Sequence, residues 1–209
     1  MIALTIDCEQ WNCPLLEGKS VKENDNTSFS KQGNAVLLDL LDKYNIKNTF
    51  FVTGFFAEKE QEQVKLIKKE GHEIACHGYN HYWRGNKNLD IRQEIIKSKK
   101  ILENITQEKI KGFRAPQLQY SSELIKILDE SGFQYDSSLH PLYLPGCYNN
   151  LNKPITIFKP PESRNIIEIP VSVSSFRLPI SWVFIRVFGI NRTIACCKKL
   201  LKKKIRRYM

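Results

Sequence analysis

Residues 71–81 read GHEIACHGYNH, a short apolar segment (73–76) that runs into two histidines four residues apart. A short apolar run of this kind is typical of a buried parallel strand. A spacing of four places His77 and His81 on one face of a helical turn, where both imidazoles can bind one metal ion. We therefore predict a strand with a metal site at its carboxyl end.

A second cluster of reactive side chains lies near the start, in residues 5–9 (TIDCE). Side chains two apart on a strand point to the same side, so we expect Asp7 and Glu9 to face one site together. Two neutral imidazoles, one carboxylate and an open position make a hydrolytic metal centre. A second carboxylate beside such a centre can serve as a base. The two clusters together therefore predict a metal-dependent hydrolase.

Strand and helix signals alternate along the chain, which predicts an α/β fold with a parallel sheet and helices outside it. The strand candidates are residues 2–6, 48–52, 73–76, 110–113 and 133–136. Asp7, His77, Arg114 and Asp136 each lie at the carboxyl end of one of these strands. In a barrel of parallel strands those ends form the active face. We therefore expect these four residues to meet at one site.

The size and composition of the chain suit a single globular domain, which we assign to residues 1–209. Its net charge of +10 comes from the C-terminal segment, because ten Lys and Arg residues follow Glu168 and no acidic residue does. We predict a basic helix at about residues 191–207. Its cations are either solvated or meet an anionic membrane surface, and we expect no nucleic-acid partner.

The cysteine pattern favours a reducing compartment. Six cysteines occur without any CxxC pair, which is typical of reduced thiols in a cytoplasmic protein. The apolar run 2–6 is too short for a secretory signal and leads directly into Asp7. Residues 169–190 are fairly apolar but contain two arginines and two prolines, so we predict no membrane-spanning helix there. We therefore expect a cytoplasmic protein, with membrane association through the basic helix as the alternative.

Four motifs follow one another along the chain: residues 5–9 (TIDCE), 77–81 (HGYNH), 112–116 (GFRAP) and 132–138 (GFQYDSS). In this order they resemble the polysaccharide deacetylase family, which is also known as the NodB homology domain or carbohydrate esterase family 4. The likeness is greatest to the branch whose first motif is Asp-x-Glu. The resemblance implies an irregular (β/α) barrel and metal-dependent removal of acetyl groups from N-acetylated sugars or polysaccharides.

On the metal side, the resemblance implies that Asp7 is the catalytic base and that His77 and His81 are metal ligands. The family usually has a second, adjacent aspartate as the third ligand, and this chain has Cys8 at that position. Glu9 is the third ligand we expect, because Cys8 would face the opposite side of a regular strand. Ligation by the Cys8 thiolate is the alternative. Zinc is the expected metal, and cobalt, nickel or manganese would also fit these ligands.

On the other side of the site, the resemblance implies that Arg114 orients the base and that the backbone N–H of Gln117 contributes to an oxyanion hole. Asp136 matches the acidic residue that supports the general acid or the arginine. The family's last motif, a strand that ends in a general-acid histidine, is absent, and His140 lies too early to match it. The resemblance therefore implies a barrel shortened at its C-terminal end.

The missing motif leaves two alternatives open beside deacetylation of a sugar. One is hydrolysis of another non-peptide C–N bond, such as a cyclic amide, on the same scaffold. The other is a catalytically impaired protein that binds metal or glycan.

Overall fold

The computed structural model describes residues 3–10, 25–81 and 89–205. The strands in these ranges are β1 (Thr5–Cys8), β2 (Thr49–Val52), β3 (Glu73–Cys76), β4 (Gly112–Phe113), β5 (Tyr135–Asp136), β6 (Tyr143–Leu144), β7 (Tyr148–Asn149) and β8 (Ile167–Glu168). Six of them form a parallel sheet in the order β1-β2-β3-β4-β5-β8. The remaining two, β6 and β7, pair antiparallel in the connection between β5 and β8.

Helices connect most of the parallel strands, as the alternating pattern predicts. They are α1 (Asp25–Lys43), α2 (Gly54–Lys59), α3 (Gln61–Lys69), α4 (Ile91–Thr106), α5 (Ser122–Glu130), α6 (Trp182–Phe188) and α7 (Ile190–Ile205), with a 3₁₀ turn at Pro116–Leu118. The predicted α/β class is therefore confirmed. The strands β4 and β5 have two residues each, shorter than the predicted 110–113 and 133–136, because pairing with their neighbours extends over only those residues.

The starts of three helices follow from single polar residues. The Thr53 hydroxyl accepts a hydrogen bond from the Phe56 amide at 3.3 Å, just before α2. The Asp90 carboxylate caps α4 and the Ser121 hydroxyl caps α5 in the same way. These side chains satisfy amides in the first helical turn that have no partner inside the helix. Each cap therefore fixes where the chain turns from a strand or loop into a helix.

Successive side chains along each strand point to opposite sides of the sheet. One side faces the apolar core beneath the helices, and the other side carries the polar site. Phe50 and Val52 of β2 are buried in the cluster formed with the helices. Phe51, between them, points to the other side, where its ring centroid lies 4.1 Å from the guanidinium carbon of Arg114. Asp7 is the register partner of Phe51 on β1 and therefore shares that side. The two-residue period thus decides which side chains reach the site.

The C-terminal part contains one predicted helix and one that the sequence did not predict. The helix expected at 191–207 corresponds to α7, and its predicted end at residue 207 lies outside the described residues. The short helix α6 precedes it. Within the described parts of the chain, no helix combines the length and hydropathy that crossing a membrane requires. The assignment of residues 1–209 to a single domain stays a prediction.

Candidate metal centre

His77 follows β3 directly and is almost completely buried. Its Nδ1 lies 2.7 Å from the backbone carbonyl oxygen of Arg114, at the end of the adjacent strand β4. A carbonyl oxygen can only accept, so Nδ1 carries the proton and Nε2 presents its lone pair. Metal-binding histidines usually make this second hydrogen bond, because it fixes both the tautomer and the ring orientation. His77 is therefore held ready to bind a metal through Nε2.

His81 reaches the same place through a loop, so the predicted helical turn is wrong. Residues 77–81 are irregular, and Gly78 has φ +70°, a left-handed conformation that glycine adopts without strain. The loop is fixed to the start of α2, where the Gly54 amide donates to the Gly78 carbonyl at 2.9 Å. The two imidazole centroids are 5.4 Å apart. A turn that depends on Gly78, and not a helical turn, therefore brings the two histidines together.

Glu9 completes the cluster from the end of β1. Its Oε2 lies 2.8 Å from His81 Nε2 and 3.2 Å from His77 Nε2. All three ligand atoms lie within 4.8 Å of one another. Donors on one tetrahedral zinc ion, at bonds of roughly 2.1 Å, are roughly 3.4 Å apart. The donor set therefore fits a single divalent ion.

The charge state of Glu9 suits this role. Burial pushes the pKa of Glu9 up, but the two neighbouring imidazoles, His77 and His81, outweigh burial and bring it down to about 2. Cys8, the alternative ligand, is buried on the other side of β1, where its Sγ accepts a hydrogen bond from the Asn34 amide. Burial raises the pKa of the Cys8 thiol well above its usual range. The geometry favours Glu9 over Cys8 as the third donor.

Arg114 and Asp7 form the adjoining part of the site. Arg114 Nη1 donates to Asp7 Oδ1 at 2.6 Å. The guanidinium also donates to Ser137, through Nε to the carbonyl at 3.2 Å and through Nη2 to the hydroxyl at 3.1 Å. Ser137 in turn donates to the carbonyl of Ile169 at 2.9 Å. Arg114 is therefore fixed at three points and holds one oxygen of Asp7 in place.

Gln117 lies in the 3₁₀ turn that follows Arg114. Its φ is +54° and that of Leu118 is +52°, so two successive side-chain-bearing residues adopt a left-handed conformation. Such strain is typical of functional sites, where the surrounding structure maintains it. Here the Tyr148 hydroxyl donates to the Gln117 carbonyl at 2.8 Å. The peptide at 117 is thus held in a fixed, uncommon orientation at the mouth of the barrel.

With this geometry established, comparison with known proteins decides the family. A family model described as polysaccharide deacetylase matches residues 24–135, more than half of the chain. The chain belongs to the polysaccharide deacetylase family. The resemblance drawn from the four motifs is therefore confirmed.

Individual members of the polysaccharide deacetylase family match only in part. A peptidoglycan deacetylase from Helicobacter pylori is 34% identical over 106 residues, which are 49% of this chain and 36% of that protein. A candidate polysaccharide deacetylase from Mycobacterium smegmatis superimposes with a TM-score of 0.63 at 29% identity, over 81% of this chain and 58% of that one. A mutant of a Bacillus anthracis CE4 family pseudoenzyme, with restored enzymatic activity, gives a TM-score of 0.51 at 25% identity over 64% and 42%. This chain thus spans less than two-thirds of each protein's length. The structural likeness confirms the predicted irregular (β/α) barrel type.

In this chain Asp136 is fully buried, and none of its described hydrogen bonds is with the Arg114 guanidinium. Asp136 Oδ1 accepts a hydrogen bond from the Ser138 hydroxyl at 2.6 Å, and that hydroxyl accepts one from the Ala115 amide at 2.7 Å. Asp136 therefore supports the strand end that carries Arg114, through Ser138 and the backbone. The expected support of the arginine is indirect.

Glu168 is a residue of the site that the sequence did not predict. It is fully buried on β8, in register with Asp136, and its Oε1 accepts a hydrogen bond from the Leu139 amide at 3.0 Å. Burial and the neighbouring Asp136 carboxylate raise the pKa of Glu168, and burial raises that of Asp136. Burial of two neighbouring carboxyl groups favours the protonated, uncharged form of the pair. An acidic residue inside the apolar stretch 166–171 (IIEIPV) was the available signal.

The chain's two other histidines do not join the cluster. His72 is buried just before β3, at the opposite end of that strand, where its Nδ1 accepts a weak hydrogen bond from the Asn48 amide at 3.4 Å. His140 is buried beyond β5, and its ring centroid lies 5.0 Å from that of Tyr148. Burial lowers the pKa of the His140 imidazole.

Proposed function

We propose that this chain is a metal-dependent hydrolase that removes acetyl groups from N-acetylated sugars or glycans. The observation that carries the proposal is the convergence of Glu9, His77 and His81 within 4.8 Å, next to the Arg114–Asp7 pair. The Helicobacter pylori relative, a peptidoglycan deacetylase, supports an N-acetylated glycan as the substrate class. Zinc is the metal we propose, because two imidazoles and a carboxylate form its usual hydrolytic site.

The chemistry divides between the metal and the protein's own residues. A divalent ion, when held by Glu9, His77 and His81, supplies Lewis acidity and an activated water. Asp7 takes the proton of the attacking water as general base. Arg114 keeps Asp7 oriented by its 2.6 Å hydrogen bond. The Gln117 amide donates to the oxygen on which negative charge develops.

A second candidate function follows from the question of which residue gives a proton to the leaving amine. Of the chain's four histidines, two belong to the ligand cluster, His72 lies at the far end of β3, and His140 packs on Tyr148. Neither His72 nor His140 has a described hydrogen bond or ion pair with Asp7 that would mark it as a general acid. Loss of general-acid help slows such reactions by on the order of 10² to 10⁴. This favours, as the alternative, a catalytically impaired protein that binds metal or glycan.

Acetate release from N-acetylglucosamine oligomers and from peptidoglycan tests the proposal. We expect turnover that EDTA abolishes and zinc restores, with cobalt, nickel and manganese measured alongside. Asp7→Asn should abolish it, while Asp39→Asn, an exposed change on α1, should not. Metal binding without acetate release would support the impaired alternative. Turnover of cyclic amides, with no acetate release from the glycans, would instead support hydrolysis of another non-peptide C–N bond.

We also propose a cytoplasmic location. Among the described residues, Cys8, Cys76, Cys196 and Cys197 are free thiols. Free thiols persist in reducing compartments. Fractionation of cells that express the chain, with a cytoplasmic and an exported marker enzyme, measures its location directly.

A further inference from the structure

The helix α6 (sequence WVFIRVF) is apolar except for Arg186, but most of its residues are exposed to solvent. Only Phe184 of its seven residues is buried, while Trp182 is 67% exposed and Val187 is 66% exposed. A helix with apolar residues on nearly every face is normally enclosed by other parts of the protein. The exposed apolar residues of α6 therefore indicate a surface that binds an apolar partner.

The residues around α6 extend this surface. We define the apolar ridge as the large hydrophobic residues that are exposed between 176 and 194. Phe176 is the most exposed of them at 86%, and Ile190 and Ile194 continue the ridge onto α7, which packs against α6. Exposed apolar groups in such number mark an interaction site. The members are Phe176, Trp182, Val183, Ile185, Val187, Ile190 and Ile194.

Cations lie among the residues of the apolar ridge and follow it along α7. After Glu168 the sequence holds ten Lys and Arg residues and no Asp or Glu. Arg186 and Arg192 are exposed between ridge residues, and the guanidinium carbon of Arg186 lies 5.9 Å from the Trp182 ring centroid. Lys198 and Lys202 extend the charge along the exposed side of α7. The occupant of this surface must therefore offer both apolar and negatively charged groups.

We propose that the apolar ridge and its flanking cations dock the protein on the surface of a membrane that contains anionic lipids. Acyl chains accept the ridge, and the headgroups meet the arginines and lysines. Trp and Arg are suited to this boundary, because each joins an apolar body to a polar end. A second copy of the chain would bring the same positive charge against the first, which disfavours a dimer through this surface. The proposal does not depend on catalytic activity.

Binding of the purified full chain to phosphatidylcholine vesicles, with and without phosphatidylglycerol, tests the proposal. We expect binding to the anionic vesicles that weakens with salt. Each Lys or Arg near an anionic surface contributes about a fivefold factor, so Arg186→Ser/Arg192→Ser should weaken binding about 25-fold. Lys69→Ser/Lys126→Ser removes the same charge from α3 and α5, away from the ridge, and should have little effect.

A second pair of variants tests the apolar part. Trp182→Ser/Val187→Ser should weaken vesicle binding at least about tenfold. Val36→Ser/Leu40→Ser is the matched control, because these residues of α1 are 66% and 52% exposed. Vesicles should also shift the tryptophan emission to the blue, and Trp182→Phe should remove the shift while retaining binding.

Several results would overturn the proposal. They are equal binding to vesicles without anionic lipid, absence of vesicle binding, tighter binding to RNA than to vesicles, or a dimer in sedimentation that the Trp182→Ser/Val187→Ser variant abolishes. Circular dichroism of each variant checks that it is folded, and the charge and apolar pairs test the surface independently.

Discussion

The backbone carbonyl of Arg114 accepts the Nδ1 proton of His77 at 2.7 Å, while the side chain of the same arginine binds Asp7 at 2.6 Å. One residue at the end of β4 therefore supports both halves of the site. Its main chain orients a metal donor and its side chain orients the base. The two roles can be separated experimentally, because substitution removes only the side chain.

Arg114→Lys should slow acetate release on the order of 10²-fold and leave zinc affinity nearly unchanged. The lysine ammonium cannot reproduce the forked contact to Asp7 and Ser137, whereas the carbonyl at 114 still accepts from His77. Steady-state kinetics and calorimetric zinc titration measure the two effects. A loss of zinc affinity as large as that of His77→Ala would contradict the separation.

Glu9→Ala should lower zinc affinity by at least about 100-fold, beyond the 10–100-fold typical of residues that only support a ligand. The reason is that its Oε2 lies within hydrogen-bonding distance of both imidazoles, at the centre of the donor set. Cys8→Ala is the control, since Cys8 packs on the opposite side of β1 against Asn34. If Cys8→Ala abolished zinc binding and Glu9→Ala did not, the thiolate would be the ligand.

The free energy of unfolding should depend on pH through the Asp136–Glu168 pair. A carboxyl group whose pKa is raised in the folded state binds more protons folded than unfolded, so its contribution falls as pH rises above about 4.3, the unfolded value. Glu168→Gln removes this titration. The free energy of unfolding of Glu168→Gln, measured relative to that of the native protein, should therefore increase as pH rises from 5 to 9. The increase should be up to about 1.4 kcal/mol per pH unit.

Urea unfolding at a series of pH values measures this difference. Glu123→Gln, an exposed change on α5, is the control and should keep the pH dependence of the native protein. A constant difference between Glu168→Gln and the native protein from pH 5 to 9 would show that folding does not raise the pKa of Glu168.

Gly112→Ala should destabilise the fold by about 1–3 kcal/mol, the usual cost of overpacking. A Cβ on residue 112 would lie 2.0 Å from the ring of Tyr135, which packs directly over this glycine on the neighbouring strand. Gly33→Ala is the matched control, because a Cβ there meets nothing within 4 Å and alanine favours the helix α1. Thermal unfolding of the two variants should show opposite shifts.

Sequence alone was sufficient for the features that depend on local pattern. Apolar runs between amphipathic stretches predicted the parallel strands, and the two-residue period placed Asp7 and Glu9 on one side and Cys8 on the other. The motif order predicted the family. The prediction for His77 and His81 brought the right residues together for the wrong reason, because the spacing of four fits a helical turn as well as the Gly78 loop that the structure contains.

Only the tertiary structure decided the pairing of Asp136 with Glu168 and the exposure of α6. The residues between β5 and β8 include the β6–β7 pair, and no local pattern fixes the register in which the two strands meet afterwards. The apolar sequence of α6 is typical of a core helix, and whether other elements cover it depends on packing across the whole chain. Local preferences act between neighbours in sequence and so determined the strands and motifs. Pairing and burial depend on contacts between distant residues, which exist only once the chain is folded.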